Sequence, residues 1–189
     1  MRRANNSNTK TKTALIEAAQ KLLYSEGYAA VTSRRVAAEA GVKSQIVHYY
    51  FESMDDLFIA VFRKLSDVAL TQVSSLLASD SPLQELWAML ENPDAVIISN
   101  EFAALANHRK KLQAELLAFR EQYRSLQARI VARELERLKV DQSEWPAEAV
   151  TLAMVILARG LAEDVAMGEA SKGYESLQKI IMQSLNKFS

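Results

Sequence analysis

The residues with the clearest chemical potential lie between positions 32 and 49, and they are hydrogen-bond donors. Hydroxyl, guanidinium, ammonium, amide and imidazole groups can donate to phosphate oxygens or to base edges. Their concentration in one short stretch favours a surface that contacts nucleic acid. These donors are Thr32, Arg34, Arg35, Lys43, Ser44, Gln45, His48 and Tyr49.

Two short helices around a glycine would position these donors. Thr32 or Ser33 is a suitable N-cap for the first helix, and Gly41 stands where that helix must end. Ser44 or Lys43 can cap the second helix. Two short helices joined by a tight turn form a helix-turn-helix, whose second helix enters the DNA major groove. The residues expected to face inward are Val36, Ala37, Ala40, Ile46, Val47, Tyr50 and Phe51.

The same stretch resembles the DNA-binding domain of the TetR family of bacterial transcriptional regulators. Residues 36–42 match the family's Ile/Val-Ala-x-x-Ala-Gly-Val pattern, and residues 48–51 match its aromatic run ending in Phe. The resemblance covers about residues 14–70. Three positions depart from the pattern. Lys43 replaces the usual Ser or Thr, His48 replaces the first Tyr, and Met54 replaces a Lys that contacts phosphate.

Position suggests a role for each donor. Residues at the N-terminal end of the second helix reach base edges, so Gln45 could pair with adenine and Lys43 with guanine, beside Ser44. The alternative is that these are solvated cap residues. The other donors should contact backbone phosphates, although Tyr49 could instead be half-buried packing.

Composition favours long helices and excludes cysteine chemistry. The chain has 189 residues, 49% of them apolar, with only 5 Gly, 3 Pro and no Cys. No disulfide or thiolate site is therefore expected. We find no apolar run of about 20 residues and no apolar stretch behind Arg2 and Arg3, so we predict neither a membrane span nor a signal peptide. We expect a cytoplasmic protein.

A zero net charge hides an asymmetry along the chain. Residues 1–54 hold 8 Lys and Arg against 4 Asp and Glu, whereas residues 55–189 hold 15 against 19. A basic module joined to an acidic domain suits nucleic-acid binding, although solvated lysines and arginines would also explain it. We predict an N-terminal arm and DNA-binding domain over residues 1–54, with its motif at about 33–52. Residues 55–189 would form a ligand-binding and dimerisation domain.

An all-α fold is predicted for both domains. A helix from about Thr9 to Ser25, after eight disordered residues, would complete a three-helix domain, with Tyr28 and Val31 in its core. A helix from about Met54 to Ala78 would belong to both domains. Breaks near Pro82, Asn92-Pro93 and residues 107–111, 141–146 and 168–173 then divide a helical bundle.

The last two helices carry more apolar surface than one small domain can bury. Residues 147–167 are apolar nearly all round, which is typical of a helix buried on most sides. The resemblance implies that these helices pair with their copies in a twofold four-helix bundle. The candidate dimer residues, each of which could instead be intramolecular core, are Leu157, Leu161, Ile181 and Leu185.

Aromatic and methionine side chains of the second domain could line an effector pocket or fill an ordinary core. The resemblance implies an effector in the middle of this domain. Few charges lie on its inward faces, so we predict a small, mostly apolar effector whose polar end meets Tyr123 or Asn100. The candidate ligand-binding residues are Trp87, Met89, Asn100, Phe102, Phe119, Tyr123 and Met154.

The sequence lacks the patterns of the main enzyme classes. The residues three before His48 and His108 are Gln45 and Leu105, so no Glu-x-x-His di-iron pair exists. We find no glycine-rich phosphate loop and no Gly-x-Ser-x-Gly elbow. No catalytic residue, metal or cofactor is therefore predicted.

The predicted function is that of a homodimeric, ligand-responsive repressor that binds an inverted-repeat operator. Two alternatives remain. One is a DNA-binding protein without small-molecule induction, and the other is a helical protein-interaction module.

Overall fold

The computed structural model describes residues 2–168 and 173–186, with side chains described for residues 8–168 and 173–184. These residues form helices and no strand, which confirms the all-α prediction. In this part of the chain no helix is both long and apolar enough to cross a membrane. The helices are α1 (Arg2–Glu26), α2 (Ser33–Glu39), α3 (Ser44–Tyr50), α4 (Met54–Ser75), α5 (Pro82–Leu90), α6 (Pro93–Ala106), α7 (Lys110–Arg137), α8 (Ala147–Ala166) and α9 (Tyr174–Asn186).

Two helix bounds differ from the prediction. Helix α1 begins at Arg2 rather than near Thr9, because the polar residues before Thr9 include neither Gly nor Pro to stop a helix. The α-helical part of α4 ends at Ser75 instead of Ala78. Leu76–Ala78 forms a 3₁₀ turn, the tighter winding that often closes a helix.

The chain divides into two compact units. The first comprises Met1–Asp67 with Asn100–Leu117, and the second comprises Val68–Ser99 with Ala118–Ser189. Helices α4, α6 and α7 contribute residues to both units. The predicted functional division between residues 54 and 55 stays a prediction, because compactness does not report function.

The core of the first unit fastens α2 and α3 onto α1 and α4. Leu15, Val36 and Leu57 are fully buried, and Val47 and Phe51 are nearly so. Burying such a side chain stabilises the fold by about 1.5–3 kcal/mol. Val36, Val47 and Phe51 were predicted to face inward, and their burial confirms that prediction.

Tyr28 corrects the predicted core. Its side chain is 42% exposed, whereas Val31 is buried as expected. Gly27 has a φ of 77°, which turns the chain at the end of α1. The Tyr28 backbone N–H then donates to Glu101 Oε2 at 2.8 Å. This turn leaves the Tyr28 ring partly in solvent, where its hydroxyl can form hydrogen bonds with water.

The second unit has its own apolar cluster. Trp87 and Leu86 of α5 are buried with Ile130 of α7 and Ala158 of α8. Trp87 Nε1 donates to Glu91 Oε2 at 2.7 Å, which satisfies the indole N–H at the margin of this cluster. Helix α5 begins with Pro82 in its first turn, as the sequence predicts.

The turn between α2 and α3 sets the geometry of the first unit's surface. Gly41 has a φ of 68°, in the left-handed region. Its N–H donates to the Ala38 carbonyl at 3.2 Å, and the Val42 N–H donates to the Ala37 carbonyl at 2.9 Å. This pair of hydrogen bonds is the Schellman motif, which satisfies the last carbonyls of α2.

Gly41→Ala is expected to lower the free energy of unfolding by about 1 kcal/mol, because an L side chain pays for left-handed φ. No atom lies within 4 Å of an added Cβ, so no steric clash contributes. Gly41→Asn is the matched control and should cost less, because asparagine tolerates this region. Urea denaturation followed by circular dichroism measures both. Equal stability of Gly41→Ala and the parent protein would contradict the role given to this turn.

Candidate nucleic-acid interface

Thr32 begins α2 as its N-cap. The residue is extended, with a φ of −113° and a ψ of 154°, and its Oγ1 accepts a hydrogen bond from the Arg35 N–H at 3.3 Å. This settles the choice between Thr32 and Ser33 as the cap. While it caps the helix, the Thr32 hydroxyl can still donate its own hydrogen to a phosphate oxygen.

The beginning of α3 carries three exposed polar side chains. Lys43 occupies the N-cap position with a φ of −77° and a ψ of 146°, and its side chain makes no capping hydrogen bond. Ser44 is therefore the first helical residue and not the cap. Lys43, Ser44 and Gln45 are all exposed, so none of these side chains is buried in the core.

The opposite face of α3 holds the helix in place. Val47 and Phe51 are buried, while Ile46 and Tyr50 are half-buried. Tyr49 is 73% exposed and meets Tyr50 edge to face, with ring centroids 5.0 Å apart. That exposure disfavours the alternative in which Tyr49 is half-buried packing. His48 is exposed in the last turn of the same helix.

The two neighbouring arginines of α2 differ in their partners. Arg35 forms a two-pronged ion pair with Glu26, with its Nη1 2.7 Å from Oε2 and its Nη2 2.5 Å from Oε1. The hydrogen bonds from Arg35 lower the pKa of the Glu26 carboxyl. Arg34 is exposed and forms no ion pair with the described side chains. Arg35 must therefore leave Glu26 before it can reach a phosphate.

Two further contacts were not visible in the sequence. Lys12 of α1 lies over the ring of Phe51, with its Nζ 5.5 Å from the ring centroid, and adds a positive charge near the end of α3. Lys21 pairs with Glu39 at 2.5 Å. Both contacts join residues far apart in the chain, so no local pattern could have indicated them.

The predicted effector residues fall into two groups. Trp87, Met89, Tyr123 and Met154 belong to the apolar cluster of the second unit. Phe119 stacks on Tyr123, and their ring centroids are 5.3 Å apart. Burial raises the pKa of the Tyr123 hydroxyl. Four of these side chains thus share one cluster, and Phe119 adjoins it through Tyr123. An effector contact for any of them stays a prediction.

The other two predicted effector residues lie in the first unit. Phe102 is buried and packs edge to face on Phe62, with centroids 5.0 Å apart. Asn100 is exposed. Phe102 is therefore part of the core of the first unit. An effector contact for Phe102 or for Asn100 stays a prediction.

The predicted dimer residues differ in exposure within the single chain. Leu157 is 47% exposed, Leu161 is buried, and Ile181 packs against the cluster of the second unit. The side chain of Leu185 lies outside the described residues. Helices α8 and α9, with the C-cap residue of α8, nevertheless expose many apolar side chains, which are Leu152, Ile156, Leu157, Val165, Met167, Leu177 and Ile180.

Comparison with known proteins places the helix-turn-helix in a family. The model of bacterial regulatory proteins of the tetR family matches residues 15–61, from α1 into α4. Through this segment the chain is similar to the TetR family. The family consists of regulatory proteins, in agreement with the prediction that the chain is not an enzyme.

A curated TetR-family relative matches the same end of the chain. The HTH-type transcriptional regulator BetI of Rhizobium meliloti is 35% identical over 81 residues. The match covers 41% of this chain and 38% of the length of that relative. The likeness therefore concerns the helix-turn-helix and its surroundings and carries no information on the effector.

Solved structures share the fold along nearly the whole chain. A TetR transcription regulator from Haloarcula marismortui has a TM-score of 0.71 at 21% identity and covers 95% of this chain and 96% of its own. A transcriptional-regulator structure from Saccharomonospora viridis, in complex with choline, has a TM-score of 0.73 at 18% identity and covers 95% of both chains. At such identities the similarity establishes the fold alone.

Glu26→Gln is expected to strengthen binding to random-sequence duplex DNA, because it releases Arg35 from a charged competitor. The slope of log affinity against log salt should steepen by about 1 as one more phosphate is neutralised. Fluorescence anisotropy over a range of salt concentrations measures both quantities.

Glu17→Gln is the matched control for Glu26→Gln. Glu17 pairs with Lys64 at 3.1 Å, so its replacement removes the same charge from an exposed ion pair without touching Arg35. If the two variants change affinity and slope equally, the effect is one of net charge, and Arg35 has no special part in binding.

Proposed function

We propose that this TetR-family chain is a DNA-binding transcriptional regulator that acts in the cytoplasm as a homodimeric repressor. The observation that carries the proposal is the division of α3 into two faces. Val47 and Phe51 fasten the helix to the core, while Lys43, Ser44 and Gln45 stand exposed at its N-terminal end. A helix fixed in this way can present its first residues to base edges in the major groove.

Base contacts and phosphate contacts fall to different residues. Gln45 can pair with adenine through two hydrogen bonds, and Lys43 can donate to guanine. Thr32, Arg34, Arg35, His48 and Tyr49 would position the domain on the phosphates. Arg34 is ready for such a contact, whereas Arg35 must first exchange Glu26 for a phosphate.

The exposed apolar side chains of α8 and α9 support a dimer. Monomeric soluble proteins rarely leave a large contiguous apolar patch in water, and a twofold interface uses the same patch on both copies. Leu157 and Ile156 would lie in the contact, whereas Leu161 and Ile181 support it from within each chain. Two copies would present two α3 helices and so require an inverted repeat.

Effector control is the second part of the proposal. The effector would be small and mostly apolar, and it would bind beside the cluster that contains Trp87, Tyr123 and Met154. The choline complex of the Saccharomonospora viridis structure supports a small-molecule site in this fold. An effector that favours a conformer with wrongly spaced α3 helices would weaken operator binding, and operator DNA would weaken effector binding by the same factor. Helix α4 contributes residues to both units and is the candidate coupling element.

A gel shift with DNA flanking the chain's own gene, repeated with a panel of metabolites, tests both parts. A shift that one compound abolishes supports an inducible repressor. A shift that no compound changes supports the alternative of a DNA-binding protein without induction. No shift at any protein concentration favours the interaction-module alternative.

Gln45→Ala is expected to cost about 1–3 kcal/mol of operator binding and to relax the base preference at the contacted position. Affinity for random DNA should change little, because the lost contact is to a base. Anisotropy titrations at one fixed salt concentration measure both affinities. Gln113→Ala, at an exposed glutamine of α7, is the control and should leave them unchanged. An operator preference that survives in Gln45→Ala would show that Gln45 is a solvated cap residue.

Leu157→Glu is expected to convert the dimer into a monomer at micromolar concentration, because the interface would bury an unpaired carboxylate. Leu157 is chosen over Leu161 because a charge at the buried Leu161 would unfold the chain itself. Leu117→Glu is the control, since Leu117 of α7 is 58% exposed outside α8 and α9. Sedimentation velocity reports the assembly state, and circular dichroism confirms folding. A monomeric parent protein would refute the dimer.

A further inference from the structure

A lysine of α1 is held over an aromatic ring at the C-terminal end of α3. Lys12 Nζ lies 5.5 Å from the centroid of the Phe51 ring. At this distance the face of the ring attracts an ammonium group. Phe51 is the C-cap of α3 and is only 4% exposed, so the core fixes its ring in place. Lys12 is exposed, so the ring orients a cation that stays accessible to a partner.

The position of Lys12 on α1 explains how its side chain reaches this ring. Leu15 follows one turn later on the same side of the helix and is fully buried. The stem of Lys12 therefore leaves α1 at the margin of the core, where its methylene groups can cover Phe51 while the ammonium stays in water. Lys10 lies two residues before Lys12, about 200° around the helix, and so leaves α1 on another side.

The contact with Phe51 leaves the charge of Lys12 uncompensated. Arg35 is paired with Glu26, so a phosphate must displace a carboxylate there. Lys12 forms no ion pair with the side chains that the structure describes, and Glu52, the residue after Phe51, is exposed and not paired with it. An aromatic ring orients an ammonium without cancelling its net charge. Such ordering reduces the entropy that a lysine side chain loses when it binds an anion.

The end of α3 is a place where a DNA backbone is expected. When the first residues of a recognition helix reach base edges, its C-terminal end and the elements beside it meet phosphates. His48 and Tyr49 are exposed on the last turn of α3 and are proposed above as phosphate contacts. Lys12 joins this end of the helix from α1, because its ammonium lies over the ring of the α3 C-cap.

We propose that Lys12 binds a backbone phosphate beside the end of α3, and that the Phe51 ring positions its ammonium for that contact. This inference rests on the DNA binding proposed above and adds a residue of α1 to the DNA-binding surface. The contact carries no sequence information, since every nucleotide offers the same phosphate. It should therefore strengthen binding to every duplex alike and weaken as salt is raised.

Lys12→Gln tests the phosphate contact, because glutamine keeps a polar side chain and removes the charge. Affinity for random-sequence duplex DNA should fall about fivefold at physiological salt, and the slope of log affinity against log salt should flatten by about 1 for each chain bound. Lys12→Arg should bind like the parent chain, since a guanidinium also binds aromatic faces and phosphates. Lys10→Gln is the matched control, which removes the same charge from an exposed lysine of α1 and should leave the slope unchanged. Fluorescence anisotropy over a range of salt concentrations measures affinity and slope.

A double-mutant cycle tests the part played by the ring. Phe51→Leu keeps an apolar side chain in the core but removes the aromatic face. It should weaken DNA binding in the parent chain and have little further effect in Lys12→Gln, because no ammonium then remains to be positioned. A purely structural loss would be the same in both backgrounds. Circular dichroism checks folding, and Phe51→Met is the second ring-free variant if Phe51→Leu does not fold.

The outcomes separate this inference from the wider proposal. A parent chain that binds no duplex DNA would overturn both. DNA binding that Lys12→Gln leaves unchanged, equal changes in Lys12→Gln and Lys10→Gln, or a loss confined to one DNA sequence would overturn the phosphate contact alone. Equal losses from removal of the ring in both backgrounds would overturn the positioning by Phe51.

Discussion

The turn at Gly41 is the constraint on which the DNA-facing surface depends. Hydrogen bonds from Gly41 and Val42 close the end of α2, and the left-handed φ of Gly41 reverses the chain into α3. This reversal allows Val36 and Val47 to share one core while Gln45 remains outside. Because successive helical residues differ in direction by about 100°, a shift of one residue along α3 would rotate Val47 and Phe51 away from the core by about that angle.

Local patterns predicted the helices, and contacts between distant residues account for what they missed. The N-cap at Thr32, the stop at Gly41 and the start at Pro82 each follow from a residue's own stereochemistry. The pairing of Arg35 with Glu26 depends on how α1 and α2 pack, and no short-range pattern encodes it. The hydrogen bond from the Tyr28 backbone N–H likewise reaches Glu101, which lies 73 positions away. Thus the hydrogen-bond donors around α2 and α3 could be recognised in the sequence, but the ion pair of Glu26 with one of them, Arg35, could not.

Selection of bound sequences from a pool of random duplex DNA by the full chain tests the central claim most directly. The account predicts a consensus made of two inverted half-sites, with centres separated by about 34 Å along the duplex or a multiple of it. The same selection with Gln45→Ala should keep the half-site spacing and lose the preference at one base pair in each half. A pool that shows no enrichment, or a consensus with a single unrepeated site, would contradict the account.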